Sequence, residues 1–482
     1  MENRMTHMII NGQKVTARDG RSLEVISPVD GQAFTRIPRG QAADVDLAVG
    51  AARAALDGGW GRSTALDRGR LLLRLAESIL AHHEELAQIE SRDTGKPLST
   101  ARADITVLAR YFEFYGGAAD KVHGQTIPFQ ENYSVQLIRE PLGVTAHIIP
   151  WNYPAQMFGR SVAPALAMGN AAVVKPAEDA CLSIVRVAEL ALEVGFPAGA
   201  LNVVTGLGEE AGAALSGHPG INFVTFTGSN EVGVLVQSAA ARNAVKCVLE
   251  LGGKSAHIVF DDANDKLAIP AIVKGIVHNA GQTCTAGSRL LVQKGIYADF
   301  MQAVAQEFSK VRAGTPEMDL TCGPVVNRAQ FERVNRYIAK GLADGLKVVA
   351  EGSIAEGVPA GGFYVKPTLF SAATHDSDLF TQEIFGPVLV ALPFDDEEQA
   401  IALANATDYG LLGAVWTENG GRQQRVARGI KVGQVYINGF GAGGGVELPF
   451  GGVKKSGHGR EKGFIALEEM STTKTIIQYY GK

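Results

Sequence analysis

The stretch VTAHIIPWNYPAQMFGRSVAPALAMGNAAVVKPAED, residues 144–179, decides the fold. It begins with an apolar run at 144–149, continues with apolar residues at helical spacing over 155–168, and ends with a second apolar run at 171–174. Short apolar runs of this kind are typical of strands that are buried on both faces, and the window between them is long enough for a crossover helix. The stretch therefore predicts a strand–helix–strand unit with parallel strands.

The same alternation extends from this unit towards the C-terminus. Further strands are predicted at 201–204 and 221–226, and further helices at 182–194, 209–216 and 230–241. A second alternating block starts near residue 255 and reaches about residue 435. The pattern predicts an α/β protein with two doubly wound domains of similar size, joined near 251–254.

The first third of the chain is predicted to be mainly helical after some short extended pieces. Helical spacing predicts helices over 44–56, 65–94 and 101–115, the second of them as one long amphipathic segment. Alternation of polar and apolar residues predicts strands at 134–139 and at Ser471–Tyr479. The C-terminal strand has no evident partner in its own neighbourhood, and such strands often pair with another subunit.

The composition is that of a soluble globular protein. The chain has 482 residues, of which 46% are hydrophobic and 20% charged, so two or three domains are expected. A formal net charge of −5 argues against nucleic acid or an anionic membrane as the main partner. The four cysteines lie far apart without a C-x-x-C pair, so neither a metal site nor a disulfide framework is indicated. The N-terminal 13 residues resemble neither a secretory signal nor a membrane span, which makes the cytoplasm the expected compartment.

Cys284 and Glu250 are the strongest candidates for chemistry. Cys284 follows Gly281-Gln282-Thr283, directly after a predicted helical stretch at 268–280. Free cysteines are often simply small buried hydrophobes, an interpretation that suits Cys181, Cys247 and Cys322 better than Cys284 with its polar neighbours. A thiol that attacks a carbonyl and an acid that activates a water are the minimum equipment for thiol-dependent covalent catalysis.

Glu250 is the one acid of the apolar run 248–251 and is followed by Gly252-Gly253. It could be an ordinary strand-end acid at the surface. Partial burial would raise its pKa and suit it to general-base work. The two glycines would let the backbone pass close to a ligand or to Cys284.

Three other strand ends carry candidate binding groups. Asn152, between Pro150 and Pro154, is expected to donate to a developing oxyanion, or else to bond its own backbone in a rigid turn. Lys175 and Glu178 suit ribose hydroxyls, and the segment 226–229 precedes a predicted helix whose free amides suit a pyrophosphate. The glycine cluster at 206–212 is a weak signal and is also typical of a turn. The pair His82-His83 suggests a metal site much less than a solvated helix face.

Seven motifs, in order, resemble those of the aldehyde dehydrogenase superfamily over nearly the whole chain. They are Pro150-Trp151-Asn152, Lys175-Pro176-Ala177-Glu178, Phe226-Thr227-Gly228-Ser229, Glu250-Leu251-Gly252-Gly253-Lys254, Gly281-Gln282-Thr283-Cys284, Glu383-Ile384-Phe385-Gly386-Pro387 and Pro449-Phe450-Gly451-Gly452. The resemblance implies a dinucleotide-binding domain (1–119 and 141–252), a catalytic domain (253–435) and a small β oligomerisation arm (120–140 and 465–482) that gives the C-terminal strand a partner. It also implies a homodimer or homotetramer.

The resemblance implies roles for individual residues. Cys284 would form a thiohemiacetal with the aldehyde, Asn152 and the Cys284 amide would hold the oxyanion, and Glu250 would activate the water that hydrolyses the thioester. The implied cofactor contacts are Ile148, Pro150, Trp151, Lys175, Glu178, Gly208, Phe226, Gly228, Ser229, Val232, Leu251, Glu383 and Phe385. Because the Glu178 carboxylate would repel a 2′-phosphate, NAD is favoured, with NADP possible.

The substrate is expected to be an aromatic or medium aliphatic aldehyde. The expected pocket residues are Met157, Phe158, Thr283, Thr285 and Phe440. No arginine or lysine in these segments is an obvious partner for a substrate carboxylate, and structural roles are expected for Arg160 and Arg289. The glycine-rich run at 439–445 could reshape the pocket.

Several other functions stay open. Semialdehyde or betaine-type oxidation is the alternative within the same chemistry. An acylating dehydrogenase that uses coenzyme A is disfavoured, because acyl-transferring relatives typically lack an acid at the position of Glu250. A non-catalytic binding protein is disfavoured by the presence of nucleophile, oxyanion donor and base together.

Overall fold

The computed structural model describes residues 6–372, 374–441 and 445–481. The N-terminal part contains short antiparallel strands and four helices. These are β1 (Met8–Ile10), β2 (Gln13–Val15), β3 (Ser22–Ile26), β4 (Ala33–Pro38), α1 (Ala42–Asp57), α2 (Ala65–Ala81), α3 (His83–Thr94), α4 (Leu98–Ala118), β5 (Gln125–Thr126) and β6 (Tyr133–Pro141).

Strands and helices alternate from here on, as the apolar runs predict. The elements of the first alternating block are β7 (Val144–Ile149), α5 (Pro154–Ala167), β8 (Ala171–Pro176), α6 (Leu182–Glu193), β9 (Leu201–Val203), α7 (Ala213–Ser216), β10 (Phe223–Thr227), α8 (Asn230–Ala241) and β11 (Lys246–Glu250). Those of the second are β12 (Ala256–Val259), α9 (Asp265–Val277), β13 (Arg289–Gln293), α10 (Tyr297–Phe308), β14 (Arg312–Ala313), α11 (Arg328–Ala343), β15 (Lys347–Glu351), β16 (Ser353–Ile354), β17 (Thr368–Ser371), α12 (Asp378–Thr381), β18 (Val388–Phe394), α13 (Glu397–Asn405), β19 (Leu412–Trp416), α14 (Gly420–Gly429) and β20 (Gln434–Ile437). The chain closes with β21 (Gly457–His458), α15 (Ile465–Glu469) and β22 (Ser471–Tyr479).

Two large sheets organise these elements. The first has eight strands in the order β2-β1-β9-β8-β7-β10-β11-β21, and the second has seven in the order β15-β17-β18-β13-β12-β19-β20. Neighbours from β9 to β11 run parallel, so the carboxyl ends of these strands meet at one edge of the first sheet. The predicted α/β fold class with two doubly wound sheets is confirmed. Strand β21 joins the first sheet although it lies outside the residues assigned to either domain from the sequence.

Each sheet has its own hydrophobic core. Trp60, Phe112 and Phe158 are among the fully buried side chains around the first sheet, and Phe308 and Trp416 are among those around the second. Strands such as β7 and β8 are buried on both faces, which explains why their sequences are continuous apolar runs.

The single helix predicted over 65–94 is wrong, because the chain leaves helical geometry at His82. The carbonyl oxygen of Ser78, in the last turn of α2, accepts a hydrogen bond from the His82 amide at 3.1 Å and also lies 2.8 Å from His82 Nδ1. Helix α3 starts at the next residue. The predicted helix over 209–216 also differs, since a π-helical turn at 208–212 precedes α7.

The C-terminal strand finds its partner within the same chain. All nine residues of β22 pair antiparallel with β6, from Ser471 opposite Pro141 to Tyr479 opposite Tyr133. The three strands form the order β22-β6-β5, which leaves β22 at an edge with Ile477 largely exposed. Within the described ranges, none of the helices combines the length and apolar character needed to cross a membrane.

Candidate active site

The loop that carries Cys284 is shaped by an unusual run of backbone conformations. Helix α9 ends at Val277 and not at residue 280 as predicted, and Asn279 and Ala280 then take φ angles of 50° and 54°. Non-glycine residues rarely adopt this left-handed conformation. At Gly281, with φ of 74°, a Cβ atom would lie 2.2 Å from the carbonyl of Gly386, so only glycine fits. The sharp turn brings Cys284 out of the helix direction.

Asn152, at the end of β7, is tied to this loop. Its side-chain Nδ2 donates a hydrogen bond to the carbonyl of Gln282 at 2.9 Å. Its own carbonyl accepts bonds from Lys96 Nζ at 3.1 Å and from Asn279 Nδ2 at 2.9 Å. The side chain therefore reaches across to the nucleophile loop, and the alternative that it bonds only its own backbone is wrong.

Glu250 ends β11 and is buried, with 2% of its surface exposed. Burial raises the pKa of its carboxyl to about 8, with Glu461 adding to the rise while Arg160 opposes it. A Cβ atom on Gly253 would lie 2.2 Å from the carbonyl oxygen of Cys284. The strand end after the acid thus touches the nucleophile loop, and the close approach expected at the glycine pair is present.

The Cys284 thiol is protonated at neutral pH in the protein alone. Desolvation raises its pKa to about 12, and the carboxylates of Glu383 and Glu250 add to the rise while the Arg160 charge opposes it. Cys284 is nevertheless partly exposed, whereas the other three cysteines are buried, as expected of small hydrophobes. Its position, and not its resting ionisation, therefore distinguishes it from the others.

Arg160 faces the acid, which the sequence did not reveal. Its Nη2 lies 3.5 Å from Glu250 Oε2, and its Nε donates to Glu461 Oε2. Its guanidinium carbon lies 4.2 Å from the centre of the Phe450 ring. Lys462 Nζ lies 5.4 Å from the centre of the same ring. A structural role was expected for Arg160, and the structure adds that its guanidinium faces the candidate base. Arg289 has the structural role expected of it, because it donates to backbone carbonyls.

Lys175 and Glu178 lie beside each other at the end of β8. The Lys175 Nζ atom is 2.7 Å from Glu178 Oε2. The lysine is buried, and the glutamate is partly exposed. A carboxylate held in this way at the carboxyl edge of a parallel sheet can accept hydrogen bonds from vicinal hydroxyls.

The neighbouring strand end leads into α8. Ser229 is its N-cap and accepts a hydrogen bond from the amide of Val232, and both residues are exposed. Gly228 lies against the ring of buried Phe226, where a Cβ atom would come within 2.4 Å of the ring. The remaining first-turn amides of α8 have no acceptor within the helix, so this end can receive an anionic group.

The other predicted cofactor residues lie on the same edge or on the segment opposite it. Trp151 and Phe385 form an edge-to-face pair with ring centroids 5.4 Å apart. Glu383 Oε1 accepts a hydrogen bond from the amide of Gly253 at 2.8 Å, and burial raises the pKa of that carboxyl to about 7. At the edge of the first sheet are Ile148 and Pro150 (both partly exposed), Gly208 (exposed) and Leu251 (buried).

Of the five predicted pocket residues, Phe158 lies in the core, and the other four have different surroundings. Met157 is partly exposed and its sulfur lies 3.5 Å from Arg160 Nη1, while Thr283 Oγ1 is 2.8 Å from the hydroxyl of Tyr153. Thr285 is buried, and Phe440 packs on His257 with centroids 4.3 Å apart. The assignment of Phe158 to the pocket is wrong. One position after Met157 the helix turns by about 100°, which directs Phe158 into the core against Phe112.

The two histidines singled out from the sequence bond to neighbouring groups of the protein. His82 bonds Ser78, and His83 Nε2 lies 2.8 Å from the carbonyl of Arg102. Among the described residues, no group of three or more His, Cys, Asp or Glu side chains is placed to hold a metal ion. The sequence did not show that Lys96 bonds the Asn152 carbonyl, or that Arg160, Glu461 and Lys462 lie around the candidate acid. Arg160 follows the Asn152 motif closely and Glu461 and Lys462 follow the Phe450 motif, whereas Lys96 is distant from both in sequence.

The chain was compared with protein-family models, with solved structures and with other known proteins, and the matches extend over nearly its whole length. The model described as "Aldehyde dehydrogenase family" matches residues 15–476. A solved structure from Burkholderia cenocepacia that is assigned to the aldehyde dehydrogenases is 53% identical, covers 98% of this chain and 100% of its own, and superposes with a TM-score of 0.98. Betaine aldehyde dehydrogenase from Staphylococcus aureus, solved in complex with NAD+, is 36% identical with a TM-score of 0.96 over 99% of this chain and 95% of its own. Hydroxyisobutyraldehyde dehydrogenase from Mycolicibacterium austroafricanum is 42% identical over 97% of this chain and 93% of its own.

Proposed function

The chain belongs to the aldehyde dehydrogenase family, and from this premise we propose that it oxidises an aldehyde to the carboxylate with Cys284 as nucleophile, Asn152 as oxyanion donor and Glu250 as base. The observation that carries this assignment is the contact of the Glu250 strand end with the Cys284 loop at Gly253, together with the hydrogen bond from Asn152 to the same loop. Three groups from β7, β11 and the loop before β13 thereby converge on one reaction site.

The residues at the carboxyl edge of the first sheet fit a nicotinamide dinucleotide. Glu178, oriented by Lys175, would hold the adenosine ribose, and the α8 N-terminus with Ser229 would hold the pyrophosphate. Trp151 and Phe385 would enclose the nicotinamide side, with Glu383 at the second ribose. When bound, the cofactor accepts a hydride from the aldehyde carbon. NAD is favoured over NADP, because the Glu178 carboxylate repels a 2′-phosphate.

In the first half-reaction the Cys284 sulfur adds to the aldehyde carbon and the thiol proton leaves. The oxyanion that forms receives hydrogen bonds from Asn152 Nδ2 and from the Cys284 amide. Loss of the hydride converts the adduct into a thioester on Cys284. The raised pKa of the resting thiol means that this step needs a base or an added positive charge near the sulfur.

In the second half-reaction Glu250 takes a proton from a water, whose oxygen attacks the thioester and expels the Cys284 thiolate. The buried position of Glu250 raises its pKa to about 8, so its carboxylate is a stronger base than an exposed one. Both carboxylate oxygens lack a hydrogen-bond partner among the described residues, which leaves them available to a water.

The test is the Glu250→Gln variant. It should give a burst of about one NADH per active site followed by little turnover, because the acyl group forms and is not hydrolysed. The Cys284→Ala variant is the matched control and should bind NAD yet oxidise nothing. Normal steady-state turnover by Glu250→Gln, or sustained aldehyde oxidation by Cys284→Ala, would contradict the assignment.

The proposed substrate is an aromatic or medium aliphatic aldehyde, supported by Met157 and Tyr153 near the loop. The cationic side chains of Arg160 and Lys462 beside Phe450 count against a substrate with a trimethylammonium group, as in betaine aldehyde. The same charges make a semialdehyde with a carboxylate the second candidate. A panel of aromatic, aliphatic, cationic and carboxylate-bearing aldehydes, each assayed with NAD and NADP, ranks the four classes by kcat/KM. A preference for the cationic aldehyde would overturn this order.

We also propose that the three-stranded arm is an oligomerisation element, which gives a homodimer or homotetramer. Strand β22 is an edge strand with exposed apolar side chains at Ile476, Ile477 and Tyr479. Open edges of this kind are normally covered. Light scattering on the intact chain and on an Ile477→Lys variant tests the arm. An unchanged mass in the variant would count against it.

A further inference from the structure

We propose that Arg160 is a positioning residue for the base: it bridges Glu250 and Glu461, and so favours the charged form of the Glu250 carboxyl during hydrolysis of the acyl-enzyme. This inference rests on the proposed role of Glu250. It concerns a residue on α5 that does not contact the scissile bond in the proposed mechanism and acts through its neighbour.

The guanidinium of Arg160 is fixed on several sides. Its Nε donates to Glu461, its Nη1 lies 3.5 Å from the sulfur of Met157, and its planar group lies over Phe450. A planar guanidinium presents its donors in a rigid fork, so fixing one edge determines where the others point. Here the remaining nitrogen, Nη2, is directed at Glu250.

The distance between Arg160 Nη2 and Glu250 Oε2, 3.5 Å, decides what this contact does. Hydrogen bonds from N–H to oxygen have donor–acceptor distances of about 2.7–3.2 Å, so the contact is an ion pair and not a hydrogen bond. Neither carboxylate oxygen of Glu250 nor Nη2 of Arg160 has a hydrogen-bond partner in the described part of the chain. The positive charge stabilises the carboxylate while its lone pairs stay free for a water. A tight bidentate pair would occupy those lone pairs.

The groups that face Glu250 come from three parts of the chain. Arg160 lies on α5, Cys284 lies on the nucleophile loop, and Arg460, Glu461 and Lys462 follow β21. Burial and Glu461 disfavour the charged form of Glu250, while the three cations favour it, with Arg160 first among them. Because Arg160 also neutralises Glu461, it removes part of the repulsion between the two carboxylates as well as adding its own attraction.

Lys462 does not replace Arg160 in this role. Its amine is buried, which lowers its pKa to about 7, so it loses charge as the pH rises above neutrality. An arginine keeps its charge at any pH at which the enzyme works. In the range where Glu250 titrates, Arg160 and Arg460 are therefore the cations that stay charged, and Arg160 has the larger effect on the Glu250 carboxyl.

The experiment compares Arg160→Met, Arg160→Lys and Lys462→Met with the unmodified protein from pH 6 to 10. Cys284 is acylated with p-nitrophenyl acetate, which needs no cofactor, and hydrolysis of the acyl-enzyme is followed directly. In parallel, the NADH burst and the steady-state kcat are measured with saturating aldehyde. The variant Lys462→Met is the matched control, since it removes a buried cation whose effect on the Glu250 carboxyl is smaller than that of Arg160.

The deacylation rate increases with pH as Glu250 loses its proton. In Arg160→Met we expect this increase to occur about one pH unit or more higher, so that the deacylation rate at pH 7 falls about tenfold. The burst should keep its amplitude. Arg160→Lys should shift the pH profile of deacylation less than Arg160→Met, because lysine keeps a positive charge. Lys462→Met should also shift the profile less than Arg160→Met.

Three results would overturn the inference. A burst and kcat that fall together, with the pH profile unmoved and no rescue by lysine, would give Arg160 a structural role only. A raised KM confined to carboxylate-bearing aldehydes, again without a pH shift, would make it a substrate anchor. A shift of the pH profile in Lys462→Met as large as that in Arg160→Met would show that the overall charge of the site, and not the position of Arg160, sets the profile. Normal deacylation by Glu250→Gln would instead contradict the proposed role of Glu250 itself. This result separates a failure of the proposed function from a failure of the inference about Arg160.

Discussion

Asn152 Nδ2 donates a hydrogen bond to the carbonyl of Gln282 at 2.9 Å, which connects the end of β7 in the first sheet with the loop that carries the nucleophile. The same amide group has a second N–H for the oxyanion that forms when Cys284 adds to an aldehyde. Removing it in Asn152→Ala should lower kcat for acylation by about 10²–10³-fold, the usual effect of losing one oxyanion donor. The burst rate at saturating NAD measures this step.

The control for this prediction is binding of NAD, which should be little changed in Asn152→Ala because the side chain is directed at the loop. Asn152→Asp keeps the size but replaces the donor with an acceptor, so it should be as defective as Asn152→Ala. A burst rate within threefold of the unmodified protein in both variants would remove Asn152 from the oxyanion site.

The Cys284 thiol should react slowly with alkylating agents when no cofactor is bound. Burial raises its pKa to about 12, and only the thiolate is the nucleophile, so at pH 7 iodoacetamide should label it more than about 100-fold more slowly than free cysteine. The rate should rise about tenfold per pH unit up to pH 10, because the folded protein gains thiolate as the pH approaches the thiol pKa. Mass spectrometry of the labelled peptides measures the rate at Cys284, with the buried Cys181 and Cys322 as internal controls. Labelling at pH 7 as fast as that of free cysteine would show that the protein alone already stabilises the thiolate.

Replacement of Glu178 should relax the choice between NAD and NADP. In Glu178→Gln the negative charge is gone, and Lys175, which it held at 2.7 Å, becomes a partner for a 2′-phosphate. We expect kcat/KM with NADP to rise by about tenfold and that with NAD to fall, since repulsion at close range is worth about 1 kcal/mol or more. Glu209→Gln, which removes an exposed acid at the next strand end, controls for general charge. A cofactor preference that does not move in Glu178→Gln would place the discrimination elsewhere.

The strands were predictable wherever burial is complete on both faces. The run at 144–149 coincides with β7, and the strand predicted at 171–174 is only two residues short of β8. Helix α8 was predicted at its observed bounds because Ser229 caps it through its own side chain. The break at His82 was not predictable from hydrophobic spacing; both the amide and the ring Nδ1 of His82 contact the Ser78 carbonyl there.

The site was predictable in its central residues and not in their surroundings. Glu250 ends β11 and is followed by two glycines, Asn152 lies in a turn between two prolines, and Cys284 follows Gly281, so local sequence patterns pointed to all three. Arg160 meets Glu461 across 301 residues of sequence, through the pairing of the 450 and 461 segments. No local pattern reports such a contact, so the cation next to the base was expected to have only a structural role.

The orientation of α5 separates Met157 from Phe158, and this gives a prediction about stability. Phe158 is fully buried against Phe112, so Phe158→Ala should lower the free energy of unfolding by about 3–5 kcal/mol through lost burial and the cavity left behind. The midpoint of urea unfolding, compared at equal protein concentration, measures this loss. Met157→Ala is the matched control: it is partly exposed, so it should cost less stability and should change KM for bulky aldehydes instead. If Phe158→Ala keeps its stability and changes the substrate range, Phe158 lines the pocket after all and the core assignment is wrong.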